Sequence, residues 1–307
     1  MSLESQIAAL VSAANSLTSQ VAGKMAGIDQ RMESAERQFD EFTGKDFPQR
    51  VSEARSIKIY VDTTSGDDNN TGLSSSSPVK TYRKVREISG GNNTIYDIVE
   101  VRIEGGSSLL LDTAINANSE IRIVGQGGSA GSVTTLFQGF WSGNAPGRPM
   151  QPFRAPYVEI GDSTNGSMEL HTAEFKDGHS WEESAGRGSA WMNYAGSMMA
   201  NISRIKLRDV KVKLHDMPLS MVYMGGSMGQ YATYQIVLGA NCDFAVEAAG
   251  AASVNFTNSP LMLYCYENPK IPLDIIANKL TISGNIATVS ELFGNLDTLN
   301  VRSSFTI

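Results

Sequence analysis

Residues 59–88 read IYVDTTSGDDNNTGLSSSSPVKTYRKVREI, and the order of elements in this stretch sets expectations for the rest of the chain. Ile57-Lys58-Ile59-Tyr60-Val61-Asp62 alternates, which predicts a strand with Ile57, Ile59 and Val61 on one face. From Thr63 to Leu73 turn-forming Asp, Asn, Ser and Gly take over, so a loop follows. Ser77-Pro78 then reads as an N-cap and a first helical residue. The short helix behind it would put Val79, Tyr82, Val85 and Ile88 on one side, and Gly90-Gly91 would end it. The Asp67-Asp68-Asn69-Asn70 cluster lacks the alternating ligands, fixed glycine and terminal glutamate of an EF-hand loop. It reads as a structural turn, and no metal is expected.

Upstream, apolar residues fall at Leu3, Ile7, Leu10, Ala14, Leu17, Val21, Met25, Ile28, Met32, Ala35, Phe39 and Phe42. Their steps run 4-3-4-3-4-4-3-4-3-4-3, a heptad seam with one extra residue after Val21 that relaxes a left-handed supercoil. A helix over these residues would be about 60 Å long. That is too long for packing on its own compact domain, so self-association as a coiled coil is expected. Mixed Leu, Ile, Val, Ala and Met do not choose between two strands and three. Gly44 and Pro48 are expected to break the helix.

Downstream of Ile95 the chain reads as short strands separated by Gly and Asn turns. Val99, Val101 and Ile103 alternate with Glu100, Arg102 and Glu104, and Ile121 and Ile123 flank Arg122. Ile205 and Leu207 alternate with lysine and arginine; a turn at Asp209 then shifts the phase to Val210, Val212 and Leu214. Further strands are expected at 234–238, 252–256, 261–266, 273–276, 280–282, 287–289 and 299–301. Few Asn-Gly or Asp-Gly hairpin signals occur, which argues against a β-sandwich for the body and leaves one open only as a receptor-binding tip at the C-terminus.

The stretch 59–88 resembles the opening cap of pectate-lyase-like β-helices, phage tailspikes among them. The match falls on Tyr60, Val61, Asp62, Gly66, Asp68, Gly72, Leu73, Pro78, Lys80 and Thr81. The N-terminal segment resembles the leading helix of tail-fibre proteins from phages of Gram-negative bacteria. Together the two resemblances cover roughly a quarter to a third of the chain; they speak to fold more than to activity. They imply a right-handed parallel β-helix-type body, or a trimeric β-prism, behind an α-helical coiled coil, and a homotrimer.

Residues 139–200 interrupt this regularity. They hold all three tryptophans (Trp141, Trp181 and Trp191), two of the three histidines (His171 and His179), and Pro146, Pro149, Pro152 and Pro156. Loops that interrupt a scaffold often carry binding, and indole faces pack on sugar C–H faces. Trp181, Trp191, Tyr194 and His179 are therefore the expected glycan-binding residues. For catalysis, Glu159, Asp162, Glu169, Glu174, Asp177, Glu182 and Glu183 are available as carboxylates. His171 or His179 near Arg187 could serve a lyase. No G-x-S-x-G elbow, P-loop or H-E-x-x-H occurs, so no catalytic residue is assigned and an enzyme is not the favoured reading.

Composition narrows the classes. The 307 residues carry 32 Asp+Glu against 25 Lys+Arg, a net charge of -7, with no dense basic run, so no nucleic-acid partner is expected. Charged residues make up 19%, below the roughly 25% of ordinary soluble domains, so Ser, Thr, Asn and Gly share the surface. Cys242 and Cys265 have no metal-type spacing and read as small apolar residues on strands. The opening Met-Ser-Leu-Glu is not a signal peptide and no apolar run is long enough to span a membrane.

The expected protein is mainly β, in three parts. Residues 1–44 form a coiled-coil trimerisation and virion-attachment segment with Ile7, Leu10, Leu17, Val21, Met25, Ile28, Met32 and Phe39 as its seam. Residues 45–92 form a linker, strand and capping helix, and residues 93–307 the β-helix-type body with its insertion at about 139–200. The expected function is a phage tail fibre or spike in the virion tail or collar, assembled in the host cytoplasm. Its partners would be itself, other tail, baseplate or collar proteins, and a host surface polysaccharide, without cofactor or membrane insertion. A polysaccharide depolymerase tailspike and a purely structural collar or head spike are the alternatives.

Overall fold

A computed structural model of the chain describes residues 2–47, 51, 54–93, 95–140, 149–161, 166–174, 199–200, 202–215, 217, 219–222, 234–248, 263–265, 273–284, 288, 292 and 301–303. It divides into two compact units, Met1–Ala54 and Arg55–Ile307.

The first unit is one helix, α1 (Leu3–Glu41), followed by a π-helical turn at Phe42–Asp46. Ser2 caps it: its hydroxyl accepts from the Ser5 N–H at 3.3 Å. Of the two residues expected to break the helix, Gly44 lies in the π-helical turn and does not interrupt the helical path, and Pro48 lies outside the described residues. One glycine costs a helix only about 1 kcal/mol, and the Thr43 hydroxyl helps by donating to the Phe39 carbonyl at 2.8 Å. No residue of α1 is buried; the seam side chains stay exposed, from 49% at Val21 to 71% at Leu10.

The second unit begins with β1 (Ser56–Val61), then α2 (Tyr82–Ile88), β2 (Ile98–Glu104), β3 (Ser108–Leu111), β4 (Ile115–Asn116), β5 (Glu120–Gln126) and β6 (Val133–Gln138). It continues through β7 (Phe153–Arg154), β8 (Tyr157–Gly161), β9 (Ser167–His171), β10 (Met199–Ala200), β11 (Arg204–Arg208), β12 (Val210–Leu214) and β13 (Ser220–Val222). The last strands are β14 (Tyr234–Ala248), β15 (Leu263–Cys265), β16 (Leu273–Gly284) and β17 (Val301–Ser303). Cys242 and Cys265 both fall on strands, β14 and β15.

All named strand pairs are parallel. The largest sheet has twelve strands and runs β1-β2-β5-β8-β11-β14-β12-β9-β6-β3, with β16 and β17 branching from β14. Small sheets of three (β10-β13-β15) and two (β4-β7) strands accompany it. Two ladders therefore meet at the long strand β14.

This corrects the fold expected from sequence. Among the described residues the structure has one long N-terminal helix, the short α2 and open parallel sheets, a mixed α/β arrangement, and neither a coiled coil nor a right-handed β-helix-type or β-prism body. The path of the large sheet has two free ends, at β1 and β3. The reason is physical: a heptad seam records an apolar helix face without recording what covers it. Strand alternation likewise records which face is buried, not how far a sheet wraps.

The alternation itself is realised. Register stacks Ile59, Val101, Ile123, Ile160 and Leu207 on one ladder, all fully buried. Leu109, Leu136, Leu170 and Val212 stack on the other and join the same core. Parallel neighbours lie about 4.8 Å apart, so each side chain covers the next, and each buried aliphatic group contributes roughly 1.5–3 kcal/mol. Where the phase was expected to shift, Asp209 takes a φ of 52° between β11 and β12.

The loop and helix after β1 behave as one hydrogen-bonded unit. Tyr60 N–H donates to the Gly72 carbonyl at 2.8 Å, and Asp62 and Val79 exchange with β1 through Asp62 N–H to Val79 O and Val79 N–H to Tyr60 O, both 2.9 Å. Asp68 accepts from Lys80 N–H (2.8 Å), Thr81 N–H (2.9 Å) and the Thr81 hydroxyl (2.7 Å). The acidic cluster thus contains the clasp of the turn. Gly66 is required because a Cβ would sit 2.4 Å from the Asp62 and Val79 carbonyls. The helix starts later than expected: Thr81, not Ser77, is the N-cap, its hydroxyl accepting from Lys84 N–H at 3.2 Å. Val79 is spent on a parallel bridge to Val61, which keeps Ser77-Pro78 out of the helix.

The outward face of the first ladder alternates in charge. Lys58, Glu100, Arg122, Glu159 and Lys206 occupy successive rungs. Arg122 binds Glu120 at 2.7 Å, and Glu159 binds Lys206 at 3.0 Å and Arg208 at 2.7 Å.

Candidate functional site

The outward face of the second ladder is different: beside the row Thr135, Glu169 and Lys211 runs a row of apolar and ring side chains that ends at Lys213. Leu110, Phe137 and His171 lie on adjacent rungs of β3, β6 and β9. Leu110 is 54% and Phe137 38% exposed, because these positions point away from the core. Phe137 and His171 meet with centroids 4.7 Å apart and planes at 52°. Together with α2 and the segment after β12 they border a groove of about 680 Å³, within the usual size of ligand sites.

His215 enters from the end of β12. Its N–H donates to the Thr172 hydroxyl at 2.8 Å, which sets the backbone, and its Nε2 lies 3.2 Å from Nδ1 of His171. The ring centroids are 5.4 Å apart, much farther than the nitrogens, so the rings meet edge to edge, nitrogen to nitrogen. On the other side, Nε2 of His171 is 3.1 Å from Glu169 Oε2.

The tautomers follow. Glu169 is a carboxylate: partial burial pushes its pKa up, but hydrogen bonds from Lys213 and His171 outweigh this and hold it below the usual range. It can only accept, so His171 presents Nε2–H to Glu169 and a lone pair at Nδ1 to the Nε2–H of His215. Burial depresses the pKa of His171, and the charges of His215 and Lys213 push the same way against the pull of Glu169. His171 is therefore neutral at pH 7. Lys213 sits 2.9 Å from Glu169, closing the chain Lys213–Glu169–His171–His215.

The groove also contains Arg83 of α2, paired with Asp112 at 2.7 Å, and Phe140, Thr172 and Glu174. Gln138 is buried beside them at 4% exposure. Its Nε2 donates to the Met150 carbonyl at 2.7 Å and its Oε1 accepts from the Ala173 N–H at 2.8 Å. One amide thus ties β6 to two separate chain segments at the groove.

Of the residues expected from sequence, His171 and Glu174 line the groove. The expected glycan-binding residues Trp181, Trp191, Tyr194 and His179 lie outside the described residues, as do Trp141, Asp162, Asp177, Glu182, Glu183 and Arg187. Glu159 stands on the other ladder, engaged by Lys206, Arg208 and the Tyr157 hydroxyl (2.8 Å). Of the candidate carboxylates, Glu174 reaches the groove and Glu169 supports its histidine wall. The sequence reading did not select Leu110, Phe137, Arg83, Asp112 or His215. The signal for the first two was present: large apolar residues at the outward positions of alternating strands. The seam residues sit on α1 as described above. Among the described residues no cluster of three or more His, Cys, Asp or Glu is arranged to hold a metal ion, and no helix is long and apolar enough to cross a membrane.

Compared with protein-family models, curated proteins and solved structures, the chain matches none.

Proposed function

We propose that this chain is a homotrimeric tail fibre or spike of a phage virion. Its N-terminal segment joins other tail, baseplate or collar proteins, and its body binds a glycan on the host cell surface. The observation that carries the reading is the seam of α1. Ile7, Leu10, Leu17, Val21, Met25, Ile28, Met32 and Phe39 are all exposed on a helix of 39 residues that buries nothing. So continuous an apolar stripe needs a cover in water, and other copies of the same chain bring an identical stripe. The resemblance of the first 42 residues and of 59–88 to fibre and tailspike sequences supports the virion assignment. The groove supports ligand binding, and three chains per fibre would raise weak single-site affinity through avidity.

Light scattering on the purified full chain tests it. Three chains of 33.1 kDa should give about 99 kDa, and the double variant Leu10→Asp, Leu17→Asp should lower that mass. A monomer at micromolar concentration for the unaltered chain would rule the reading out.

A further inference from the structure

We infer that the groove bordered by Phe137, His171 and Asp112 is the glycan site, and that it takes a neutral pyranose in preference to an acidic sugar. This rests on the glycan-binding reading above. Three observations carry it.

The first is shape and surface. Phe137 is 38% exposed and lines, beside His171, a volume of about 680 Å³, so part of an aromatic ring is open to a ligand. The axial C–H groups of a pyranose pack on such a face, and a volume of this order accommodates more than one sugar ring.

The second is the pattern of polar groups. Asp112 and Glu174 line the groove as carboxylates, which only accept hydrogen bonds. They suit the hydroxyl donors that a neutral sugar offers in abundance. Asp112 is held in place by Arg83 at 2.7 Å, so it is oriented before ligand arrives. His215 is set by Thr172 and by His171, so the histidine wall is also preorganised.

The third is charge. Among the described residues, lining carboxylates (Asp112 and Glu174) outnumber arginine (Arg83), and His171 is neutral at pH 7. Lys213, beside the histidine wall, is paired with Glu169. A sialic acid, a uronate or a phosphorylated sugar would bring its own negative charge to this lining and meet repulsion.

The test is a glycan array with neutral hexose and N-acetylhexosamine oligosaccharides alongside sialylated, uronate-bearing and phosphorylated ones. It is probed with the full-length protein and with Phe137→Ala, Phe137→Trp and Asp112→Asn. Binding to neutral glycans is expected, lowered roughly ten-fold or more by Phe137→Ala, as for loss of an aromatic anchor. Phe137→Trp should retain binding, which a mere folding defect at this position would not allow. Asp112→Asn should weaken neutral glycans and relax the exclusion of acidic ones. If the unaltered protein binds glycans and Phe137→Ala binds them equally well, the groove assignment fails while the glycan reading stands. Loss in both Phe137 variants, or binding confined to acidic glycans, also overturns the inference. No binding by the unaltered protein to any glycan overturns both.

Discussion

Gln138 offers the sharpest single test of how the groove is held. Its side-chain amide makes two buried hydrogen bonds, to the Met150 carbonyl at 2.7 Å and from the Ala173 N–H at 2.8 Å. Replacing it by leucine keeps the size of the side chain and removes both bonds. Each buried bond is worth about 1 kcal/mol net, and an orphaned buried partner costs about 1–3 kcal/mol. Met150 is 5% and Ala173 1% exposed, so water does not readily take over. Leucine returns roughly 1 kcal/mol through apolar burial. The expected loss is about 3 kcal/mol. For a unit of this size each kcal/mol lowers Tm by roughly 2–4 °C, so Gln138→Leu should melt roughly 6–12 °C early. Far-UV circular dichroism at one fixed protein concentration measures this, since self-association makes Tm concentration-dependent. Gln138→Glu adds a chemical check: its carboxylate has no donor for Met150 O and should recover stability on acidification, when the acid O–H can donate. A Gln138→Leu shift below about 1 °C, well under the range above, would refute the claim that this amide secures the two segments.

Three further outcomes follow from the structure. Gly161 has φ 134° and faces Arg208 across β8 and β11, where a Cβ would lie 1.8 Å from the Arg208 carbonyl oxygen. Gly161→Ala should therefore cost more than about 4 kcal/mol or abolish soluble protein. Gly131→Ala (φ 83°, no atom within 4 Å) should cost only about 1–2 kcal/mol, both read by thermal melts. His171 titrates below its ordinary value of 6.5 when folded, chiefly through burial. The unfolded chain takes up its proton first as pH falls, so this stability is present above pH 6.5 and is lost progressively below it. Urea midpoints at about pH 7.5 and about pH 5.5 should differ less in His171→Phe than in the unaltered protein. Asp68 sits below its ordinary 3.8 because the bonds from Thr81 and Lys80 outweigh the upward push of partial burial. Its contribution is complete above pH 3.8 and fades below it; Asp68→Ala should cost about 2 kcal/mol at neutral pH, and Asp68→Asn less, by chemical denaturation.

What could be read from sequence was what one strand or one helix knows about itself. Val99, Val101, Ile103, Ile205 and Leu207 announce their buried face by alternation, and all are fully buried. Asp209 announces a turn by interrupting one alternation and starting another. The helix start was misread because Ser77-Pro78 has a good local pattern for a cap, while the tertiary bridge between Val79 and Val61 claims the backbone there. Gly44 was given more weight as a breaker than a single glycine carries. The large errors concern relations between elements. Neither a partner for α1 nor closure of the sheets is encoded in the period of any one segment. The site shows the same limit, since Arg83 meets Asp112 across 29 residues and His171 meets His215 across 44. Those meetings come from which strand stacks on which, and a lone histidine or a lone aspartate carries no sign of it. Conspicuous tryptophans drew attention to 181 and 191 instead, outside the described residues.

The alternating charges along Lys58, Glu100, Arg122, Glu159 and Lys206 also constrain how this molecule can be inherited. Each of the three inner rungs faces a neighbour of opposite sign above and below, so a reversal at one of them places like charges on adjacent strands. Arg122→Glu alone would set an acid between Glu100 and Glu159. Reversing those two as well would only move the clash outward, onto Lys58 and Lys206, so all five signs must change together. Descendants of this chain should therefore alter the face by linked substitutions: the signs at 58, 100, 122, 159 and 206 should drift as a group, while Leu110 and Phe137 on the other ladder are free to follow whatever ligand the lineage meets.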